Sequence, residues 1–258
     1  MAGNKTVIFL GDGMADEPVP ELGGKTPLQY AATPAMDSIA REGVNGTLLT
    51  LPQGFPTSSE VANMSVLGCD LLSEYCGRGP LEASGRNIRL GPEDVAFRLN
   101  LTTVQDGLLK DFSGGHVDQA TADLLIRELN NHFGSNNIKF YPGVSYRNIL
   151  VLSGKQFSHH VRCEKPDDNH GEYLVDHLPS PDDQAATATA AFLKKIMQEA
   201  PVILENCPAN RKLSANGRKM ANGVWPRSGG KAGSLRTLRD KYGITGAVIS
   251  AVDVIVGL

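Results

Sequence analysis

The clearest chemical capacity lies in one stretch, Pro56-Thr57-Ser58-Ser59-Glu60-Val61-Ala62-Asn63-Met64-Ser65-Val66-Leu67-Gly68. Gly54 and Pro56 break the chain before it, so the stretch predicts a turn feeding a helix. Thr57, Ser58 and Ser59 are all competent helix caps, and Glu60 puts negative charge in the first turn, where the helix dipole favours it. A hydroxyl at such a helix start sits among unsatisfied backbone N–H groups, which hold anions such as phosphate. Ser or Thr there has two readings: a helix cap, or a nucleophile aimed at a phosphoryl group. Asp12 is a second candidate. It stands between Gly11 and Gly13 at the end of the apolar run Lys5-Thr6-Val7-Ile8-Phe9-Leu10. A carboxylate flanked by glycines is open to a cation, or it bonds its own backbone in a turn. Arg78 and Arg86, in a Gly-rich segment, suit forked contacts with phosphate or carboxylate, or plain surface charge.

These residues need elements to position them. Residues 5–10 read as a buried parallel strand, Thr33 to Gly43 as a helix with Pro34 at its first position, and residues 46–51 as a second strand. Strand–helix–strand–helix order puts Asp12 and Ser59 at neighbouring strand ends, where open α/β sheets bind ligands. Val95 to Val104 alternates with period two and turns at Asp106-Gly107, a hairpin pattern completed by residues 108–111. Asp118 to Asn131 is an amphipathic helix with Ala122, Leu125, Ile126 and Leu129 on one face. Residues 138–141 and 146–152 read as strands joined at Pro142-Gly143, residues 163–183 as a long polar loop, and a helix follows to Ala200. Residues 206–219 read as partly helical, 223–226 as a strand and Gly229-Gly230-Lys231 as a turn. A helix capped by Ser234 runs through Lys241-Tyr242-Gly243, and 246–252 is another buried parallel-type strand. The shift to antiparallel hairpins marks an α+β module inserted in an α/β frame.

The 258 residues carry 25 basic and 28 acidic side chains, net −3, which gives no bulk case for a nucleic-acid partner. No apolar run reaches the ~20 residues of a membrane span. The start of the chain shows no signal-peptide pattern, so the expected compartment is cytoplasmic. Cys69, Cys76, Cys163 and Cys207 form no CxxC pair, and the six histidines show no HExxH spacing.

Taken together, Gly11-Asp12-Gly13-Met14, Ser59 through Gly68, Gly77-Arg78-Gly79-Pro80-Leu81-Glu82-Ala83, Asp111-Phe112-Ser113 with His116, Gly143-Val144-Ser145-Tyr146-Arg147, and Lys241-Tyr242-Gly243 with Gly246 to Asp253 resemble the cofactor-independent phosphoglycerate mutases, in the short form first associated with archaea. The resemblance implies an alkaline phosphatase-like sheet sandwiched by helices, with an inserted α+β substrate domain. It implies a frame at 1–88 and 222–258 and an insert at 89–221. It implies interconversion of 3- and 2-phosphoglycerate through a phosphoserine, with two divalent metals, manganese or magnesium. By position, Ser59 is then nucleophile and metal ligand, and Asp12 a metal ligand. Asn63, His116, Arg147, Lys241 and Arg78 contact substrate. Two departures matter. The family's Trp-rich strand becomes Val224-Trp225-Pro226-Arg227, and residues 163–177 lack the usual Pro-Pro-His-Asp loop, leaving His170 and His177 unassigned. The family's remaining metal ligands are expected beyond Leu258, which makes this an N-terminal piece of an enzyme of about 400 residues on the resemblance. Two alternatives stand beside it: a metal-dependent phosphatase or phosphonate hydrolase of the same superfamily, and a non-catalytic module that grips phosphoglycerate.

Overall fold

The computed structural model describes residues 5–233, 235–250 and 252–258, in two compact units, Met1–Leu48 and Leu49–Leu258. The expected Ser234 cap and the Ala251 position of the last expected strand lie outside the described residues. The first unit holds a 3-10 turn at Pro20–Leu22 and the short helices α1 (Pro27–Tyr30) and α2 (Pro34–Glu42). Thr26 caps α1 in a reciprocal box with Gln29, and Pro34 opens α2 as its fixed φ suits. None of residues 5–48 is buried.

The second unit begins with three helices: α3 (Ser59–Val66), α4 (Leu71–Glu74) and α5 (Arg78–Gly85). The strands β1 (Asp94–Gln105) and β2 (Leu108–Asp111) follow, then α6 (Gln119–Phe133), β3 (Ile138–Val144) and β4 (Arg147–Ser153). A strap over residues 161–186 carries the short pair β5 (Val161–Arg162) and β6 (Ser180–Pro181). It leads to α7 (Thr187–Glu205), α8 (Pro208–Ala215), β7 (Gly223–Lys231), α9 (Leu238–Tyr242) and α10 (Asp253–Val256).

β1 organises the sheet, and every pairing is antiparallel: with β4 over Asp94 to Asn100, with β7 over Val95 to Thr102, and with β2 beyond Thr103. β3 adds to β4. Alternation decides the faces. Val95, Phe97, Leu99 and Leu101 join Leu150, Leu152 and Val224 in a core closed by Leu125, Ile126 and Leu129 of α6 and Leu193, Ile196 and Leu204 of α7. The opposite positions, Ala96, Ile149 and Val151, lie against Ala83 of α5. A smaller core joins Val61 and Met64 of α3, Leu71 of α4, Leu81 of α5 and Val254 of α10.

α5 lies on the strands with backbone against backbone. A methyl group at Gly79 would sit 2.1 Å from the Ala96 carbonyl oxygen, and one at Gly230 1.7 Å from that of Cys76. Close approach is why glycine stands at both positions.

The fold is mixed α/β with helices on an antiparallel sheet, and several expected elements take another form. Residues 5–10, 46–51 and the described part of 246–252 are not strands. A parallel strand needs hydrogen-bonded neighbours and cover on both faces, and these segments pair with nothing among the described residues. Their apolar side chains are exposed instead, Phe9 to 89% and Ile249 to 103%. The expected turn at Pro142-Gly143 lies inside β3, at a register irregularity between Tyr141 and Val144 that tolerates the missing N–H. The chain reverses at Ser145, which takes a φ of 55°. Gly229-Gly230 is strand rather than turn. The polar loop is a docked strap: the N–H groups of Gly171 and Leu174 donate to the carbonyls of Leu109 and Gly107, and the Leu109 N–H donates to Glu172.

Candidate active site

Ser59 opens α3, with the extended Ser58 before it at the cap position. The Ser58 hydroxyl turns back to the Pro56 carbonyl. The half-buried Ser59 hydroxyl makes no hydrogen bond among the described residues, so it stays available at the first turn, where backbone N–H groups lack helical partners. Asn63, one turn on, donates its amide N–H to the Ser59 carbonyl at 2.8 Å. That bond fixes its amide along the helix.

The residue after Ser59 leads into a buried ionic cluster. Glu60 receives Arg78 Nη1 at 3.4 Å, and Glu82 Oε1 receives both Arg78 Nε at 2.6 Å and Arg98 Nη1 at 3.3 Å. Arg98 also donates Nε to Asn100 at 3.2 Å. Arg227 is the register partner of Arg98 across the β1–β7 pair. It is 7% exposed, and its Nε is buried with no hydrogen-bond partner. Its Nη2 lies 3.9 Å from Asp167 of the strap. Burial draws the Arg98 guanidinium down to about 10, against the Glu82 carboxylate, with Arg227, Arg78 and Arg147 adding to the fall. Arg227 is lowered too, by burial and then by Arg78. Three guanidiniums face two buried carboxylates, and a third carboxylate, that of the exposed Asp167, stands 3.9 Å from Arg227 at the edge of the cluster. Such a site favours an anion, and forked guanidiniums suit phosphate or carboxylate oxygens.

The cluster continues toward two further expected residues. Asn100 donates to the Phe112 carbonyl, Phe112 packs edge-on against Tyr146 at 6.2 Å, and the exposed Arg147 stacks over Tyr146 at 4.8 Å. The turn after Phe112 carries His116, exposed and held at a φ of 51°. Its N–H reaches the Ser113 hydroxyl, which Asp111 holds at 2.6 Å. Burial would raise Asp111, but the Ser113 hydroxyl and N–H and the Lys219 ammonium bring it down to about 2. Ser145 bonds the Val117 carbonyl, tying the His116 turn to the Arg147 turn.

The structure therefore links Ser59, Arg78 and Arg147 through one run of contacts, with His116 on the adjoining turn. It does not bring Lys241 into that run. Lys241 is 4% exposed at its side chain and pairs with Glu74 at 2.5 Å, while Arg236 takes the other Glu74 oxygen. The Lys241 hydrogen bond, against burial and with Arg236, holds Glu74 at about 2. Asp12 belongs to the first unit, on a segment without regular structure, and its metal role stays an expectation. Arg86 pairs with Asp253 at 2.8 Å. Among the described residues no three His, Cys, Asp or Glu side chains gather where a metal ion would fit. The donor set of a two-metal centre is thus not assembled from these residues. Sequence marks Glu60 only as a first-turn charge and gives no site role to Glu82, Arg98 or Arg227. Arg98 and Asn100 did carry a trace, as polar residues alternating with Phe97 and Leu99.

Residues 40–210 match the family model for 2,3-bisphosphoglycerate-independent phosphoglycerate mutase. A protein of that name from Methanosarcina acetivorans is 42% identical over 98% of this chain and 62% of its own length. One from Methanothrix thermoacetophila is 44% identical over the same shares. The chain thus spans about 62% of the length of these relatives. Among solved structures, a cofactor-independent phosphoglycerate mutase from Thermoplasma acidophilum aligns with a TM-score of 0.56 at 28% identity, over 95% of this chain and 65% of that one. The PH0037 protein from Pyrococcus horikoshii aligns with a TM-score of 0.69 at 24% identity, over 95% and 56%, a likeness of fold. With two thirds of its length inside the family model, the chain belongs to the 2,3-bisphosphoglycerate-independent phosphoglycerate mutase family.

Proposed function

We propose that the protein interconverts 3-phosphoglycerate and 2-phosphoglycerate, with Ser59 carrying the phosphoryl group between the two hydroxyls. The observation that carries the reading is a Ser59 hydroxyl, free of hydrogen bonds among the described residues, at a helix start directly followed by the Glu60–Arg78 link into an arginine cluster. Ser59 Oγ attacks phosphorus, and the bond from phosphorus to the glycerate oxygen breaks. That oxygen takes up a proton, and the Ser59 proton leaves to a base. The glycerate then turns, its other hydroxyl attacks the phosphoserine, and Ser59 is released. Helix N–H groups and guanidiniums meet the negative charge that builds on the phosphoryl oxygens. His116 is the proton carrier or a phosphate contact, and Arg147 takes phosphate or carboxylate. Asn63 and Lys241 remain substrate contacts in this reading, and Lys241 would first have to leave Glu74.

Two divalent ions, manganese or magnesium, belong to the same proposal, with Asp12 and Ser59 as two of their oxygen donors. When bound, they would lower the Ser59 pKa and neutralise phosphate charge. The proposed division sets a frame of 1–88 and 222–258 against an insert of 89–221. The core of Val61, Met64, Leu71, Leu81 and Val254 supports the frame, and the pairing of β7 with β1 carries the insert's sheet on to Lys231. The proposed setting is cytoplasmic, with a small-molecule substrate and no nucleic acid. Among the described residues no helix is long and apolar enough to cross a membrane.

The test follows phosphorus-31 spectra of 3-phosphoglycerate with manganese or magnesium. Formation of 2-phosphoglycerate is the expected result, with Ser59→Ala lowering turnover about a thousandfold or more at unchanged folding. Release of inorganic phosphate instead would make the protein a hydrolase. Turnover undiminished in Ser59→Ala would remove Ser59 as the nucleophile.

A further inference from the structure

Glu82 is 6% exposed, faces two arginines and has no part in the chemistry described so far. It lies in the second turn of α5, which the Gly79 and Gly230 contacts hold on the backbone of β1 and β7. Its position relative to Arg98 and Arg227, both on those strands, is therefore fixed by packing. Each guanidinium it touches is engaged at two of its three nitrogens. Arg78 spends Nε on Glu82 and Nη1 on Glu60, and Arg98 spends Nε on Asn100 and Nη1 on Glu82. The Nη2 groups of both make no hydrogen bond among the described residues. Arg227, across the strand pair, keeps an unpartnered buried Nε. Without a carboxylate between them, the guanidiniums of Arg78 and Arg98 would repel and turn apart.

We propose that Glu82 is a positioning residue: one of its oxygens holds Arg78 and Arg98 side by side so that, with Arg227, their spare N–H groups form one anion-binding surface next to Ser59. The inference rests on the reading that this site handles a phosphate ester, and it names the group that sets the geometry of the site. Charge and geometry make opposite predictions for its loss. Removing a negative charge beside three arginines, by Coulomb attraction alone, tightens an anion. Removing the group that orients two of them loosens it, because each fork then has to be ordered by the ligand.

The experiment measures inorganic phosphate binding by calorimetry, in EDTA so that no metal takes the anion. It compares the parent protein, Glu82→Gln and Glu82→Asp, with folding of each checked by circular dichroism. Glu82→Gln is expected to weaken phosphate about tenfold, and Glu82→Asp, which keeps the charge but withdraws it, to weaken it less. Unchanged or tighter binding in Glu82→Gln overturns the proposal, and so does absence of binding in the parent. If Glu82→Gln does not fold, Glu82→Asp decides, since binding equal to the parent's would remove the role. In the mutase assay, KM for 3-phosphoglycerate should rise about tenfold while kcat falls far less. Weakened phosphate binding in a protein without mutase turnover would sink the catalytic reading and leave Glu82 in its role. Turnover with unaltered phosphate binding in Glu82→Gln would do the reverse.

Discussion

Residues 7–10 and residues 95–101 are built from similar material, and the structure treats them in opposite ways. Val7, Ile8, Phe9 and Leu10 are between 49% and 89% exposed and belong to no strand. Val95, Phe97, Leu99 and Leu101 are fully buried in the middle of a sheet. Hydrophobicity does not separate them. β1 alternates, so one row of side chains faces α6 and α7 while the other faces α5, and β4 and β7 satisfy its backbone on either side. The run at 5–10 has no ladder partner among the described residues. A strand is thus a property of a pair of segments, and apolar character only makes a segment eligible.

Three measurements would break or sharpen this contrast. The largest effect is expected in the core. Leu99→Ala should destabilise the second unit by about 3 kcal/mol, whereas Phe9→Ala should change stability by under about 0.5 kcal/mol, both read from urea unfolding. Equal losses would mean that Phe9 is packed. Next, Gly79→Ala places a methyl group 2.1 Å from a carbonyl oxygen and should cost about 1–3 kcal/mol as α5 is pushed off the sheet. A neutral result would show that α5 is not seated on the strands.

The smallest effect concerns the strap. Burial pulls His177 down, but hydrogen bonds to Glu164 at 2.6 Å and Glu172 at 3.3 Å outweigh it and leave its pKa above the ordinary 6.5. A raised folded-state pKa stabilises fully below 6.5, and the contribution fades as pH climbs through the raised value. Tryptic cleavage after the exposed Arg162, in the same strap, should therefore accelerate with pH above 6.5, relative to a His177→Gln protein. Identical pH profiles for the two would show that the strap is held by its backbone bonds alone.

How much of this was legible in sequence varies by the kind of signal. The β1–β2 hairpin and α6 were readable because alternation, the Asp106-Gly107 pair and the Asp118 cap are local features, and Asp106 and Gly107 do take positive φ. The 5–10, 46–51 and 246–252 runs misled because an apolar stretch does not name its neighbours. Gly229-Gly230 read as a turn, yet the glycines admit the Phe97 ring and the Cys76 carbonyl, which only tertiary structure reveals. Arg78 was readable beside its glycines. Arg98 was not, because a charged residue on the alternate face of a strand ordinarily points to water, and here α5 covers it. The position of Ser59 at a helix start was readable from its caps and Glu60, whereas Glu82 became meaningful only once two arginines were seen to converge on it.

The lone indole of the chain has a use beyond packing. Trp225 Nε1 donates to the Glu164 carbonyl at 2.9 Å, and the His177 ring lies 6.1 Å from it. Detachment of residues 163–177 would unwrap that indole and remove a histidine capable of quenching it, so its emission would shift and change in intensity together. The molecule carries an optical gauge of its own on one edge, and opening there could be timed without any attached dye.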